Sequence, residues 1–403
     1  MKARHGAGLW MVAALSLGPA VSNSFARFAY ALVLPAMRSE LHWNYTQAGW
    51  LNTANALGYL AGAVFAAHYV SRLGNRRLFC IGMFVTAIAL VATGLTPAFL
   101  PLLALRMLTG ITGALVFVCG GVLASNAFPE RPALSSTSIA IFFAGGGIGI
   151  LLSGAGIPWL LETRGDGAWP HAWLAMGIVA VAFACISSAA ALRIEEPSSG
   201  ARHSPWPTNA FRPALASYFL FGVGYIAYMT FVIAWMKAHD APALEVTLTW
   251  GTLGIATMLA PIAWRGPLAR WRGGRTLAAT ALFIGIGAAL PLVSTRLPVM
   301  LLSAALFGGG MFTAPAAITA LVRGALPKAS WGAAVAVFTI VFAIGQSIGP
   351  IFTGWLADAT DSLFAGLAGS ALVLLAAGGV ALWQREIHAP SGVPAPASAG
   401  STG

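Results

Sequence analysis

The fold the sequence predicts is an all-α integral membrane protein. It has twelve transmembrane helices in two six-helix repeats, with both termini cytoplasmic. Three observations predict it. Of 403 residues, 58% are hydrophobic and only 8% charged, with mean hydropathy +0.80; a soluble domain carries about 25% charged residues. Apolar runs long enough to cross about 30 Å of hydrocarbon recur along the whole chain. Glycine-rich patterns then return at an offset of about 200 residues, the parallel repeat expected of a doubled bundle.

The first run, 9–36, carries Arg27 well inside it. A guanidinium near the bilayer centre costs about 3 kcal/mol and cannot shed its proton. Asn23, Arg27 and Tyr30 share one helix face. In the second run, 46–70, Asn52, Asn55 and Tyr59 do the same. Two polar stripes within apolar sequence predict a wet cavity between helices, although such asparagines also serve as interhelical hydrogen-bond donors. The third run, 78–96, is short, and the fourth, 100–125, holds Arg106. Arg27 and Arg106 lie at comparable depths, roughly 13 and 9 Å from the same end at 1.5 Å per residue.

The fifth run, 136–160, contains Gly145, Gly149 and Gly154, answered by Gly345, Gly349 and Gly354 in the eleventh, 332–356. Small residues let helix backbones approach closely. The sixth run is 171–192. A polar, Pro/Ser-rich linker, 195–211, then separates the halves 1–194 and 212–385. The seventh run, 213–236, offers Tyr218, Tyr225 and Tyr228, a stripe that suits packing or a cavity wall. The eighth, 246–264, is cut by Pro261; the ninth, 276–294, is short; the tenth, 298–322, holds Gly308 to Gly310. Lone Gln346 in the eleventh run reads as packing. A twelfth run, 363–384, precedes a Pro/Ala/Gly/Ser tail, 386–403, expected to be disordered.

Charge sets the orientation. Of the 22 Lys and Arg, sixteen fall on the side of the termini, four (Arg38, Arg164, Lys237 and Arg296) on the other, and Arg27 and Arg106 within spans. The same distribution over short loops excludes a nucleic-acid-binding domain. Cys80, Cys119 and Cys185 all lie in apolar runs, so no disulfide framework is expected. No carboxylate lies deep in a span, and the histidines sit at ends or in loops. An intramembrane enzyme needs clustered carboxylates or a metal set, and a channel needs selectivity rings; neither pattern is present. No cofactor is expected.

Three motifs make the chain resemble the major facilitator superfamily. Ala67 to Arg77 is a worn copy of the Gly-x-x-x-Asp-Arg-x-Gly-Arg-Arg loop, and Gly266 to Arg275 a second. Arg106 to Ala114 is similar to the Arg-x-x-Gln-Gly-x-Gly-Ala motif of helix four, with Thr109 in place of Gln. Arg27-Phe28-Ala29-Tyr30, Ala48-Gly49-Trp50-Leu51 and Leu57-Gly58-Tyr59-Leu60 resemble the bacterial YbfB/YjiJ-type branch. So do Gly222 to Ile226 and Gly354-Trp355-Leu356-Ala357-Asp358. The resemblance implies a transporter in which helices one and four line a central cavity. The usual loop acid is Ser71 in one copy and Arg270 in the other. The family's acid–arginine latch is therefore not expected here.

The resulting expectation is a secondary transporter of a small, anionic or carboxylate-bearing organic solute, monomeric, in the bacterial inner membrane. Protons are the candidate coupling ion, carried by an acidic substrate itself for want of a buried carboxylate; uncoupled transport is the alternative. Drug or metabolite efflux and a non-transporting receptor or scaffold are the alternatives. Candidate substrate-binding residues are Arg27, Arg106, Asn23, Tyr30, Asn52, Asn55, Tyr59, Tyr225 and Tyr228. Candidate gating residues are Arg72, Gly74, Arg76, Arg270, Gly273, Arg275, Gly145, Gly149, Gly345 and Gly349.

Overall fold

The computed structural model describes residues 2–128, 132–196, 206–327 and 330–387. Most of the linker and the tail from His388 onward lie outside them. Twelve long helical segments fill the described residues, and no strand occurs among them. The first half holds α1 (Leu9–Glu40), α2 (Tyr45–Leu73), α3 (Asn75–Thr93), α4 (Phe99–Asn126), α5 (Pro132–Arg164) and α6 (Trp169–Ala191). The second holds α7 (Arg212–Lys237), α8 (Ala243–Ala263), α9 (Arg275–Val293), α10 (Leu297–Ala325), α11 (Trp331–Thr360) and α12 (Leu363–Leu382).

Eleven helices among the described residues are long and apolar enough to cross a membrane. The sequence predicts twelve; α2 is the one that falls short. Its 29 residues rise about 43 Å, but Asn52, Asn55, Tyr59 and His68 lower its hydropathy. The polar stripe of α2 thus makes it the one long helix that falls outside the eleven by composition.

The predicted repeat is visible in the packing. In the first half α1 packs on α5, α2 on α4, and α3 on α4 and α6. In the second, α7 packs on α11, α8 on α10, and α9 on α10 and α12. Each pair recurs six helices later. The halves meet where α2 packs on α11 and α5 on α8, two contacts related by the same exchange. One end of the bundle carries Glu40, Glu162, Asp240, Asp358 and Asp361; the other carries Arg72, Arg76, Arg270 and Arg275. We call them the acidic and basic ends.

Local chemistry sets the helix limits. Asn44 and Gln47 form a reciprocal capping box at the start of α2 (2.7 and 3.0 Å). Gly74, at φ +80°, ends α2 and turns the chain into α3. At that turn Glu196 accepts hydrogen bonds from the backbone N–H of Asn75 and Arg76 (3.1 and 2.6 Å). The worn loop motif thus receives a carboxylate from beyond α6 rather than from within itself. Arg72, Arg270 and Arg275 are exposed and form no ion pair with a described residue.

The glycines divide into two sets. Gly145 and Gly149 lie against Ser16 and Ala20 of α1, and Gly345 and Gly349 against Phe219 and Val223 of α7. All four therefore pack within a half. The contacts between halves belong to Gly49 against Pro350, Gly354 against Tyr45, Gly147 against Met258 and Gly154 against Trp250. A Cβ on Gly145 would overlap the Ser16 carbonyl, whereas one on Gly156 would meet nothing. Gly145→Ala is expected to destabilise by on the order of 1–3 kcal/mol, seen as a lower melting temperature in detergent. Gly156→Ala is expected to be silent in the same assay.

Candidate functional site

The site begins with an irregularity in α1. The sequence predicts one continuous helix, but Ala20–Phe28 forms wider π-helical turns. They close at Ala29, whose N–H reaches the Ser24 carbonyl at 2.7 Å. Pro19 immediately precedes this stretch and has no N–H to give the α-helical ladder. Gly18 is wedged against Phe79 and Val116. Such turns inside a helix recur at functional sites, and Arg27 sits on this one.

Arg27 is 5% exposed and lies between the halves. Its guanidinium donates to Oε1 of Gln346 on α11 and stands 5.5 Å from the centre of the Tyr59 ring. Its Nε and the Gln346 Nε2 are buried with no partner. The charge thus meets one neutral acceptor and an aromatic face. Arg106 is near enough to repel it. Among the described residues every Asp and Glu lies at a helix end or in a loop, and the sole ion pair joins Arg272 to Glu386 at 3.9 Å. The middle of the bundle therefore holds two cations without an anion.

Arg106 is buried differently. Its guanidinium donates to the Ala26 carbonyl, the Leu51 carbonyl at 3.4 Å and Asn52 Oδ1 at 3.1 Å. The rings of Tyr30 and Trp173 lie 4.8 and 5.8 Å away. It thereby ties α1, α2, α4 and α6 together inside the first half. Tyr30 donates to the Ala48 carbonyl (2.8 Å). Asn55 donates to the Arg106 carbonyl and Thr109 (3.2 and 3.1 Å). Arg106→Leu takes the guanidinium from the Ala26 and Leu51 carbonyls and Asn52 Oδ1 and is expected to destabilise by on the order of 2–4 kcal/mol, measured by thermal unfolding.

Asn52 also reaches the other half, donating to Thr230 Oγ1 of α7 at 2.5 Å. Tyr228 does not face Arg27's polar neighbours: its hydroxyl bonds Ser303 (2.6 Å) and its ring stacks on Phe307 at 4.0 Å. Tyr225 lies edge-on to Phe28 across the halves (6.4 Å) and within electrostatic reach of Arg27. The Asn23 amide and the hydroxyls of Tyr59, Tyr218 and Tyr225 make no hydrogen bond among the described residues, and none is sealed off. Of the candidates, then, Arg27, Tyr59 and Tyr225 present free polar atoms at the centre, and the Asn23 amide is unpaired elsewhere on the same π-helical stretch. Arg106, Tyr30, Asn55 and Tyr228 are occupied in one half or the other.

Sequence reasoning missed Gln346 as Arg27's partner, because a lone glutamine carries no pattern and the two lie 319 positions apart. It also missed two carboxylates at the acidic end. Asp358 of α11 accepts from the N–H groups of Tyr45 and Thr46 (both 2.8 Å) and the Thr46 hydroxyl (2.5 Å), capping α2. Glu162 of α5 accepts from the Ala243 N–H (2.8 Å), capping α8. Each places negative charge on the positive end of a helix from the opposite half. The available signal was that both repeated glycine-rich helices end in an acid.

Hydrogen bonds joining the halves cluster between the Arg27 level and the acidic end. Besides those already given, Thr53 donates to the Ser347 carbonyl (2.8 Å), Thr247 to the Gly154 carbonyl (2.9 Å) and the Trp250 indole N–H to Ser153 Oγ (3.3 Å). These bonds hold the halves together on the acidic side of Arg27.

The family model for the uncharacterised MFS-type transporter YbfB matches residues 20–382. The uncharacterised transporter YycB of Bacillus subtilis is 30% identical over 174 residues, 42% of this chain and 39% of that protein. The chain thus spans about two fifths of that relative. The uncharacterised MFS-type transporter YceJ of the same organism is 24% identical over 242 residues, 58% of this chain and 60% of the other. Among solved structures, a mutant of the nucleoside transporter NupG superposes with a TM-score of 0.69 at 11% identity, covering 92% of this chain and 97% of that one. An inward-facing, occupied bacterial homologue of the lysosomal transporter Spinster gives 0.66 at 18% identity, covering 92% and 94%. An all-helical bundle with a six-helix repeat and a match over nearly its full length places this chain in the YbfB-type family of MFS transporters.

Proposed function

We propose that the protein is a secondary transporter of a small organic anion, moved by alternating access around Arg27. One observation carries the reading: a permanently charged side chain is buried between the halves, facing one neutral acceptor and no carboxylate. Intramembrane charges of this kind mark substrate paths. A carboxylate entering between the halves completes the site by charge-assisted hydrogen bonds to the unpaired, buried donors of Arg27 and Gln346. Arg106 holds the first half rigid around it.

The reading takes twelve crossings with cytoplasmic termini, α2 being long enough to span. The sixteen-to-four bias of basic residues puts the basic end in the cytoplasm. In this reading the halves part first at the basic end, toward the cytoplasm, and Gly49, Gly154 and Gly354 form the contacts on which they turn. Gly145, Gly149, Gly345 and Gly349 keep each half intact, and Gly74 and Gly273 turn the basic-end loops. At 11% identity the nucleosides of NupG are not carried over.

Counterflow in proteoliposomes tests this. Vesicles preloaded with unlabelled organic acid are expected to accumulate the labelled acid transiently. Counterflow driven only by cationic drugs, or none with any solute, overturns the proposal.

A further inference from the structure

The rings around Arg27 go further than its charge and specify the body of the solute. Tyr225 lies nearly parallel to Phe221 (5.8 Å, 10°) and to Phe307 (6.2 Å, 12°). Tyr218 lies nearly parallel to Phe342 (4.9 Å, 22°). These rings form one ladder of aligned faces along the second half. Tyr59, on the first half, lies within electrostatic reach of both Tyr218 and Tyr225. Tyr59 and Phe342 are only half-buried, and the hydroxyls of Tyr59, Tyr218 and Tyr225 have no protein partner and are not sealed.

Flat faces, unclaimed hydroxyls and an unneutralised guanidinium thus converge at one place. An aliphatic acid would use only the guanidinium. An aromatic carboxylate uses all three: its carboxylate meets Arg27 and Gln346, its ring stacks on the ladder, and a ring hydroxyl pairs with a tyrosine. The same inventory disfavours zwitterions. Among the described residues no acid stands near Arg27 to receive an ammonium, and two cations repel it.

We infer that the substrates are monocyclic aromatic carboxylates, those bearing a ring hydroxyl above all, bound between Arg27 and the Tyr218–Tyr225 ring ladder. This inference rests on the proposed anion transport. The test measures binding to the purified full-length chain with benzoate, 4-hydroxybenzoate, cyclohexanecarboxylate and phenylalanine. Benzoate and cyclohexanecarboxylate share charge and size and differ in the π face. Benzoate is expected to bind about 3–10-fold tighter than cyclohexanecarboxylate, 4-hydroxybenzoate tighter still, and phenylalanine weakest. In Phe342→Leu the benzoate preference is expected to fall below about 2-fold, with cyclohexanecarboxylate affinity retained. Equal binding of the two ring acids by the wild type overturns the aromatic assignment and leaves the anion site standing. Failure of every carboxylate to bind overturns both. The wild-type comparison decides the matter even if the variant does not fold.

Discussion

Arg27→Ala is expected to lose organic-acid binding by about 100-fold or more. The arithmetic is short. Hydrogen bonds to charged groups contribute about 1.5–3 kcal/mol each, and two of them amount to a factor of about 10² to 10⁴ in affinity. Arg27→Lys keeps the charge but loses the planar fork, and about a tenfold loss is expected. Stability should move the other way. Arg27 has one acceptor and an orphaned Nε, so removing it relieves an uncompensated charge. The melting temperature of Arg27→Ala should hold or rise, as at sites where function is maintained against stability. Arg106→Leu should show the opposite, because that guanidinium satisfies three acceptors. Intact acid binding in Arg27→Ala would sink the proposed site. A fall in its melting temperature as large as that of Arg106→Leu would make both arginines structural.

The second large effect belongs to the acidic end. The double variant Asp358→Ala, Glu162→Ala removes both carboxylates that cap a helix of the opposite half. A charge at a helix N-terminus contributes about 0.3–1 kcal/mol when exposed and up to about 2 in favourable geometry. Losing both should shift the closed-to-open ratio of the acidic end by about tenfold or more. The readout is a single cysteine at Thr53, with Cys80, Cys119 and Cys185 replaced by serine; because the Thr53 hydroxyl itself bonds the opposite half, the carboxylate variants are compared within that same Thr53→Cys background. Labelling by an impermeant maleimide from the acidic side should accelerate by a similar factor. Unchanged labelling would show that the interleaved glycines, not the carboxylates, keep that end shut.

Much of this was legible in the chain itself. Arg27 stood out because no soluble-protein logic puts a guanidinium in the middle of an apolar run, and the glycine repeat announced two equivalent halves. What was not legible depends on partners far apart in sequence. Arg27 and Arg106 look alike by depth, yet one faces a glutamine across the halves and the other faces carbonyls within its own. Spacing encodes depth but not the identity of the neighbour. The same limit applies to Gly145 and Gly154. They lie on one helix, yet one closes on Ser16 in its own half and the other on Trp250 in the opposite half. Glu196 escaped notice because a carboxylate just past α6 shows no pattern until α3 begins beside it.

The bond from Arg27 to Gln346 crosses the divide between the halves, and this bears on how an idle carrier behaves. When the halves rock, that bond must break, and without an anion the bare cation then faces hydrocarbon alone. Reorientation of the empty protein should therefore be the slow leg of the cycle, and one-for-one swapping of solutes should outpace net movement. Proteoliposomes that exchange quickly yet fill or drain sluggishly would carry that signature.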